Sequence, residues 1–162
     1  MRRLTLVRHA KSSWDYPELS DFERPLNARG RRNARELAQR LAGELERPLR
    51  LVSSPALRAI TTAHAFADAL GLEHAEIHVE PRIYEASTET LLAVARGLDD
   101  ADAHVLLFGH NPGFSELAHA LGKCPFGELP TCAVATFLSD APRWRELRSA
   151  TLEHYRHPKE AD

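Results

Sequence analysis

The chain has 162 residues, of which 43% are hydrophobic and 27% charged, and its formal net charge at pH 7 is -2. This balance is typical of a globular protein and gives no electrostatic reason to expect nucleic acid or an anionic membrane as a partner. No stretch approaches the roughly 20 apolar residues of a membrane-spanning helix, and the amino terminus has no secretory pattern. We therefore expect one cytoplasmic domain over residues 1–162.

The first predicted element is a strand that ends in two polar side chains. Leu4–Val7 is a short apolar run, and Arg8 and His9 follow it directly. In open parallel sheets, ligands bind just beyond the carboxyl ends of strands. A guanidinium binds phosphate through two donors, and a neutral imidazole is a competent nucleophile near pH 7. This strand end therefore suggests phosphoryl chemistry, although an Arg-His pair alone is a weak signal.

Two helices and a second strand are predicted next. Asn27 is expected to cap a helix in which apolar residues recur at three- and four-residue spacing. These residues are Ala34, Leu37, Ala38, Leu41 and Leu45. Leu49–Val52 follows as a strand. Ser54 then predicts a helix cap with Pro55 at the first helical position, and Gly71 predicts the end of that helix.

The second half of the chain again alternates predicted strands with predicted helices. Ile77–Val79 predicts a short strand, and a helix is expected from about Ser87 to Leu98. Val105–Phe108 is apolar throughout, as in a strand buried on both faces of a parallel sheet. The turn 109–113, Gly-His-Asn-Pro-Gly, follows it and leads into another amphipathic helix.

The carboxyl-terminal part predicts edge strands and a tail. We expect Ala133–Leu138 and the segment around Trp144–Leu147 to add antiparallel edge strands to the sheet. Residues 154–162 are polar and are expected to fray.

Alternating strands and helices predict an α/β fold, a three-layer α/β/α sandwich with a mostly parallel central sheet and no cap insertion. The carboxyl ends of parallel strands share one edge, so Arg8, His9, Arg58 and His110 are expected to converge there. Two arginines and two histidines around one point suit a phosphoryl group better than a neutral substrate.

Three motifs carry a family resemblance. They are Leu-Val-Arg-His-Ala at 6–10, Ser-Pro-x-x-Arg-Ala-x-x-Thr-Ala at 54–63 and Gly-His-Asn-Pro-Gly at 109–113. Together they resemble the histidine phosphatase superfamily, the phosphoglycerate mutase-like proteins. The short length and the segment Asp-Phe-Glu-Arg-Pro-Leu-Asn at 21–27 are most similar to the small SixA-type phosphohistidine phosphatases.

The resemblance implies a role for each site residue. His9 would attack phosphorus and carry the phosphoryl group, while Arg8 and Arg58 would bind its oxygens and disfavour protonation of the His9 ring. His110 would donate to a phosphoryl oxygen. Ile83-Tyr84-Glu85 resembles the Leu-x-Glu pattern that carries the proton donor in many members, so Glu85 is the candidate acid; the alternative is an ordinary exposed loop glutamate.

The leading hypothesis is therefore a metal-independent phosphatase, without a cofactor, that acts on phosphohistidine in a protein partner. A histidine-containing phosphotransfer domain is the candidate partner. One alternative is a general small-molecule phosphomonoesterase of the same superfamily, and another is a catalytically idle phosphate-binding module. A metal hydrolase is opposed by the lack of a convergent carboxylate-rich ligand set in the sequence.

Overall fold

The computed structural model describes residues 1–158, which form one mixed sheet flanked by four helices. The strands are β1 (Arg2–Arg8), β2 (Arg50–Ser53), β3 (His78–Val79), β4 (His104–Gly109), β5 (Val134–Ser139) and β6 (Thr151–Arg156), and the helices are α1 (Ala28–Leu41), α2 (Leu57–Leu70), α3 (Thr88–Arg96) and α4 (Gly113–Leu121). The strand order is β3-β2-β4-β1-β5-β6. Strands β1 to β4 are parallel, and β5 and β6 continue the sheet in antiparallel pairings.

Two apolar cores lie on opposite faces of this sheet. Alternate residues of the central strands face each way: Leu4 and Leu107 belong to the core under α3 and α4, whereas Val7 and Phe108 belong to the core under α1 and α2. All six residues of β4 are buried, as its unbroken apolar composition predicts. The expected three-layer α/β/α architecture with a mostly parallel sheet is confirmed.

Strand register brings the predicted strand ends together. Arg8, the last residue of β1, pairs with Gly109, the last residue of β4, and Ser53 at the end of β2 pairs with Phe108. The connections that follow β2 and β4 are short, at residues 54–56 and 110–112. The connection after β1 is much longer and runs over residues 9–27.

Most helix ends agree with the sequence. The Asn27 side chain accepts a hydrogen bond from the Gly30 amide at 2.7 Å, and Ser87 caps α3. Gly71 ends α2 at φ +74°, a backbone conformation that favours glycine. The expected cap at Ser54 is wrong, because α2 begins at Leu57 and its N-cap position, Ala56, has no side-chain cap.

The predicted apolar face of the first helix extends beyond the helix itself. Helix α1 ends at Leu41, whereas Leu45, the last residue of the predicted pattern, lies in the following turn and is still buried in the core under α1 and α2. Leu45 therefore packs in the same core as the apolar face of α1, although it lies outside the helix.

The carboxyl-terminal predictions need two corrections. Val134–Ser139 is antiparallel as expected, but Trp144–Glu146 is a 3-10 turn, because the buried Trp144 is tied to Asp102 by its indole Nε1–H at 2.8 Å. The edge strand is β6 instead, so the expected fraying from residue 154 is wrong for residues 154–156. The end of the predicted tail, residues 159–162, lies outside the described residues.

Within residues 1–158, none of the helices combines the length and the apolar character needed to cross a lipid bilayer.

Candidate active site

The five residues predicted from the sequence line one cleft at the carboxyl edge of the sheet. Arg8, His9, Arg58, Glu85 and His110 all border this space, which has a volume of about 760 Å³. The ring centres of His9 and His110 are 5.3 Å apart. The topology therefore brings together side chains that lie more than a hundred positions apart in the sequence.

His9 is held firmly and has a defined tautomer. Its backbone amide donates to the Gly109 carbonyl at 3.0 Å, and its own carbonyl accepts from the Cys132 amide at 3.0 Å. The ring Nδ1 lies 2.7 Å from the Ala10 carbonyl. Because a carbonyl only accepts, Nδ1 carries the proton in the neutral ring, and the lone pair remains on Nε2.

The environment of His9 favours the neutral ring. Burial lowers the pKa of His9 to about 3, and the neighbouring charges of Arg58 and Arg8 act in the same direction. The Nε2 lone pair is therefore available at neutral pH, which is the state that a nucleophilic histidine requires.

His110 lies opposite, against the end of β2. Its Nε2 is 2.8 Å from Ser54 Oγ, and Ser54 Oγ also accepts from the Ala56 amide at 3.2 Å. Ser54 thus contacts the site instead of capping α2. The other ring nitrogen, Nδ1, is buried without a hydrogen-bond partner in the described structure. Burial, followed by the charge of Arg58, lowers the pKa of His110 to about 4.

One main-chain oxygen, the Leu129 carbonyl, orients Arg8 and Asn111. The Leu129 carbonyl accepts from Arg8 Nη1 and from Asn111 Nδ2, each at 2.9 Å. Asn111 Oδ1 in turn accepts from the Ser115 hydroxyl at 2.7 Å. Arg8 and the His110 turn are therefore fixed by one shared acceptor.

Arg58 reaches the cleft from the first turn of α2 and meets Asp21. Its side chain is only 7% exposed. Nη1 donates to the Asp21 carbonyl at 2.6 Å and Nη2 to Asp21 Oδ2 at 2.9 Å. Nε is buried and has no hydrogen-bond partner in the described structure. The guanidinium therefore keeps donors for a further acceptor.

Asp21, Arg24 and Tyr84 also line the cleft, although their sequence positions predicted no role in the site. Asp21 accepts from Arg24 Nη2 at 2.9 Å and from the Tyr84 hydroxyl at 2.7 Å, in addition to Arg58. The Arg24 guanidinium also hydrogen-bonds Ser12 Oγ and lies 3.9 Å over the ring of Trp14. These hydrogen bonds lower the pKa of Asp21 well below its usual range, with Tyr84 making the largest contribution.

The sequence contained a signal that could have identified Asp21 and Arg24 as site residues. The segment 21–27 supported the family resemblance, and it lies in the long connection that leaves the carboxyl end of β1. Charged residues in such a connection are candidates for the site by the same strand-end rule that identified Arg8.

Glu85 is exposed at the rim of the cleft. Its φ is +56°, in the left-handed region, and the side chain of the preceding residue, Tyr84, is the one that reaches Asp21. Glu85 therefore borders the cleft, and its role as proton donor stays a prediction.

No group of three or more His, Cys, Asp or Glu residues within residues 1–158 has an arrangement that could hold a metal ion.

Comparisons with known proteins show the family of this chain. The model of the histidine phosphatase superfamily (branch 1) matches residues 4–111. An uncharacterized chloroplastic protein of Arabidopsis thaliana is 32% identical over 153 residues, which are 90% of this chain and 70% of that protein.

Two solved structures are similar over nearly the whole chain. One is from Agrobacterium tumefaciens and is assigned to the phosphohistidine phosphatase SixA; it has 30% identity and a TM-score of 0.79, over 97% of this chain and 98% of that one. The other is the protein histidine phosphatase SixA in complex with tungstate, with 26% identity and a TM-score of 0.80, over 96% of this chain and 97% of that one.

Proposed function

The chain belongs to the histidine phosphatase superfamily and is a SixA-like phosphatase, and we propose that it removes the phosphoryl group from phosphohistidine in a partner protein. The observation that carries the proposal is the set of buried, unpaired nitrogens in the cleft. Arg24 Nε, Arg58 Nε and His110 Nδ1 all lack a hydrogen-bond partner in the described structure. Buried polar groups are almost always paired, so such a cluster favours a ligand that supplies the acceptors, and a phosphoryl group has three oxygens.

The proposed first step is attack by His9 Nε2 on phosphorus. A bond forms between Nε2 and phosphorus as the bond from phosphorus to the substrate nitrogen breaks. The electron pair of that bond stays on the substrate nitrogen, and the imidazole leaves as a neutral ring because its other nitrogen already carries a proton. Arg8 and Arg58 stabilise the charge on the equatorial oxygens. Ser54 would donate to His110 Nε2, which places the ring proton on Nδ1 and makes that nitrogen a donor to the third oxygen.

In the second step, water attacks the phosphoryl group on His9 as the bond from phosphorus to Nε2 breaks. The electron pair returns to Nε2, and inorganic phosphate leaves. Glu85 at the rim would accept the proton of this water. The ring of His9 returns to the neutral form that its surroundings favour. Arginine and histidine meet the charge of the phosphate throughout, so the proposed reaction needs no metal ion and no other cofactor.

The rim of the cleft supports a protein substrate. The connection after β1 exposes Trp14, Tyr16, Leu19 and Phe22, with 78% of Trp14 accessible. The Trp14 ring lies against Arg24, and Phe22 packs edge-to-face on Tyr84 with ring centres 5.2 Å apart, so these two aromatic side chains adjoin the cleft. Clustered exposed aromatic side chains are typical of protein-binding surfaces. We propose that residues 1–162 act as one cytoplasmic domain and that a histidine-containing phosphotransfer domain is a suitable partner.

The position of Glu85 at the cleft favours a second candidate function, that of a general phosphomonoesterase. A positioned acid matters most when the leaving group is a poor one, such as an alkoxide, so the glutamate at the cleft also suits a general phosphomonoesterase that acts on small molecules.

Substrate competition tests the proposal. Purified protein is assayed for phosphate release from a histidine-phosphorylated phosphotransfer domain, from phosphoramidate and from a panel of sugar phosphates, with His9→Ala as the control. We expect kcat/KM to be highest on the phosphorylated domain and to be abolished in the variant. A higher kcat/KM on a sugar phosphate would favour the small-molecule alternative, and no turnover of any compound would favour an idle binding module.

A further inference from the structure

The carboxylate of Asp21 is the point at which three side chains of the cleft meet. Oδ2 accepts from Arg58 and from Tyr84, and Oδ1 accepts from Arg24. From this arrangement we infer that Asp21 is a positioning residue, which holds the Arg58 guanidinium in the orientation that binds the phosphoryl group. The inference rests on the proposed role of Arg58 in phosphate binding.

Arg58 has more hydrogen-bond donors than Asp21 engages. A guanidinium is planar and has five N–H donors, so fixing its outer nitrogens also fixes the direction of Nε. Asp21 takes one hydrogen from Nη1 through its backbone carbonyl and one from Nη2 through Oδ2. Three donors remain, including the buried Nε, which has no partner in the described structure. Asp21 therefore orients the side chain without exhausting its capacity to bind an oxyanion.

The backbone contact distinguishes a fixed support from a competitor for the anion site. A carboxylate that merely occupied the phosphate position could rotate away when phosphate arrives, whereas the carbonyl of Asp21 cannot move without its turn. Ser20 and Glu23 close that turn with reciprocal side-chain to backbone hydrogen bonds. Asp21 is thus part of a locally stabilised 3-10 turn, residues 21–23.

The positive charges of Arg58 and Arg24 also require a negative charge at the position of the Asp21 carboxylate. Arg58 and Arg24 both approach the same carboxylate within 2.9 Å, and their guanidinium groups would repel one another without it. Hydrogen bonds from Tyr84, Arg24 and Arg58 hold the pKa of Asp21 far below its usual range, so the group is ionised at neutral pH. An ionised carboxylate cannot serve as a proton donor, and a carboxylate with so low a pKa is a weak proton acceptor, so positioning is its contribution.

The experiment measures oxyanion binding and turnover separately. The dissociation constants for inorganic phosphate and tungstate are determined by calorimetry, and kcat and KM are determined with phosphoramidate. The variants are Asp21→Ala and Asp21→Asn, and Asp15→Asn is the matched control because Asp15 is exposed on the same segment outside the cleft.

We expect Asp21→Ala to weaken oxyanion binding and to lower kcat/KM by about 10- to 100-fold, as misplacement of a binding group by about 1 Å does. Asp21→Asn keeps an acceptor but loses the charge, so its loss should be smaller. Asp15→Asn should behave as wild type. The melting temperature of each variant is recorded, and Asp21→Asn carries the test if the alanine variant does not fold.

A double-mutant cycle with Arg58→Ala tests whether Asp21 acts through Arg58. If Asp21 works by positioning this side chain, adding Asp21→Ala to Arg58→Ala should change kcat/KM by less than about twofold. An equal loss in both backgrounds would overturn the positioning role and indicate a general structural effect. Tighter phosphate binding in Asp21→Ala would overturn it in favour of competition for the anion site.

Failure of the proposed function is distinguishable from failure of this inference. If wild-type protein binds tungstate but hydrolyses neither phosphohistidine nor phosphoramidate, the proposed function is wrong. The binding constants of the variants then still decide whether Asp21 positions Arg58.

Discussion

The low proton affinity of the two active-site histidines predicts how the protein responds to acid. Burial lowers the pKa of His9 to about 3 and that of His110 to about 4, from an ordinary value of 6.5. At pH 5.5 an ordinary histidine is about 90% protonated, whereas His9 should be less than about 1% protonated. The nucleophile should therefore stay neutral across the whole range from pH 5 to pH 8.

The same pKa difference is linked to stability. Because the folded pKa values lie below the unfolded value, the unfolded chain binds more protons between about pH 3 and pH 6.5. Stability is thus full above pH 6.5 and falls as the pH decreases. From pH 6.5 to pH 4.5 each histidine should contribute a loss of about 2 kcal/mol, or about 4 kcal/mol for the pair.

Two measurements check the low pKa values of the histidines and the predicted loss of stability in acid. Nuclear magnetic resonance of protein labelled at the histidine ring carbons gives each titration midpoint, and urea denaturation at pH 6.5 and pH 4.5 gives the loss of stability. His9→Gln should reduce that loss by about 2 kcal/mol, and His154→Gln, at an exposed position on β6, serves as the matched control. A His9 midpoint above pH 5.5, or equal losses in wild type and His9→Gln, would refute the reasoning.

Three other predictions concern the reaction. Arg58→Ala should cost about 3 kcal/mol or more of transition-state stabilisation, which is about 150-fold or more in kcat/KM, and Arg58→Lys should recover only part because a point charge lacks the bidentate fork; equal activity of the lysine variant would contradict phosphate binding by Arg58. Glu85→Gln should reduce phosphohistidine hydrolysis modestly but phosphate-ester hydrolysis by about 10²- to 10⁴-fold, and an equal, severe loss on both would favour the general phosphomonoesterase. EDTA should leave phosphate release unchanged; a loss that added metal restores would favour a metal hydrolase.

The central part of the fold and the position of the cleft follow from local patterns. The β4 sequence is apolar throughout because both faces are covered, and its flanking turn makes the strand end recognisable. Parallel topology then places the ends of β1 and β4 at the same edge of the sheet, and the pairing of Arg8 with Gly109 shows that they are neighbours. Short-range sequence signals were sufficient for these two strands.

The missed features depend on contacts between distant segments. Asp21 and Arg58 are 37 positions apart, and the connection that carries Asp21 has no periodic pattern. Ser54 has the sequence of a helix cap, but its hydroxyl is engaged with His110 across the cleft. In these cases tertiary partners, which the local sequence does not reveal, decided the role of each side chain.

Strand β6 was missed for a different reason. Its sequence Thr-Leu-Glu-His-Tyr-Arg is dominated by polar residues, and only Leu152 and Tyr155 pack against the core under α3 and α4. An edge strand with one half-covered face has few apolar residues, and a register shift between Thr136 and Phe137 further disturbs the period of two.

Trapping of the covalent intermediate tests the central claim most directly. Wild-type protein is mixed with phosphoramidate, quenched in alkali and in acid, digested and examined by mass spectrometry for the phosphorylated residue. A phosphoryl group on a ring nitrogen of His9 that survives alkali and is lost in acid is the expected result. An acid-stable phosphoryl group on Ser53 or Ser54, or labelling that persists in His9→Ala, would contradict the assignment of His9 as the nucleophile.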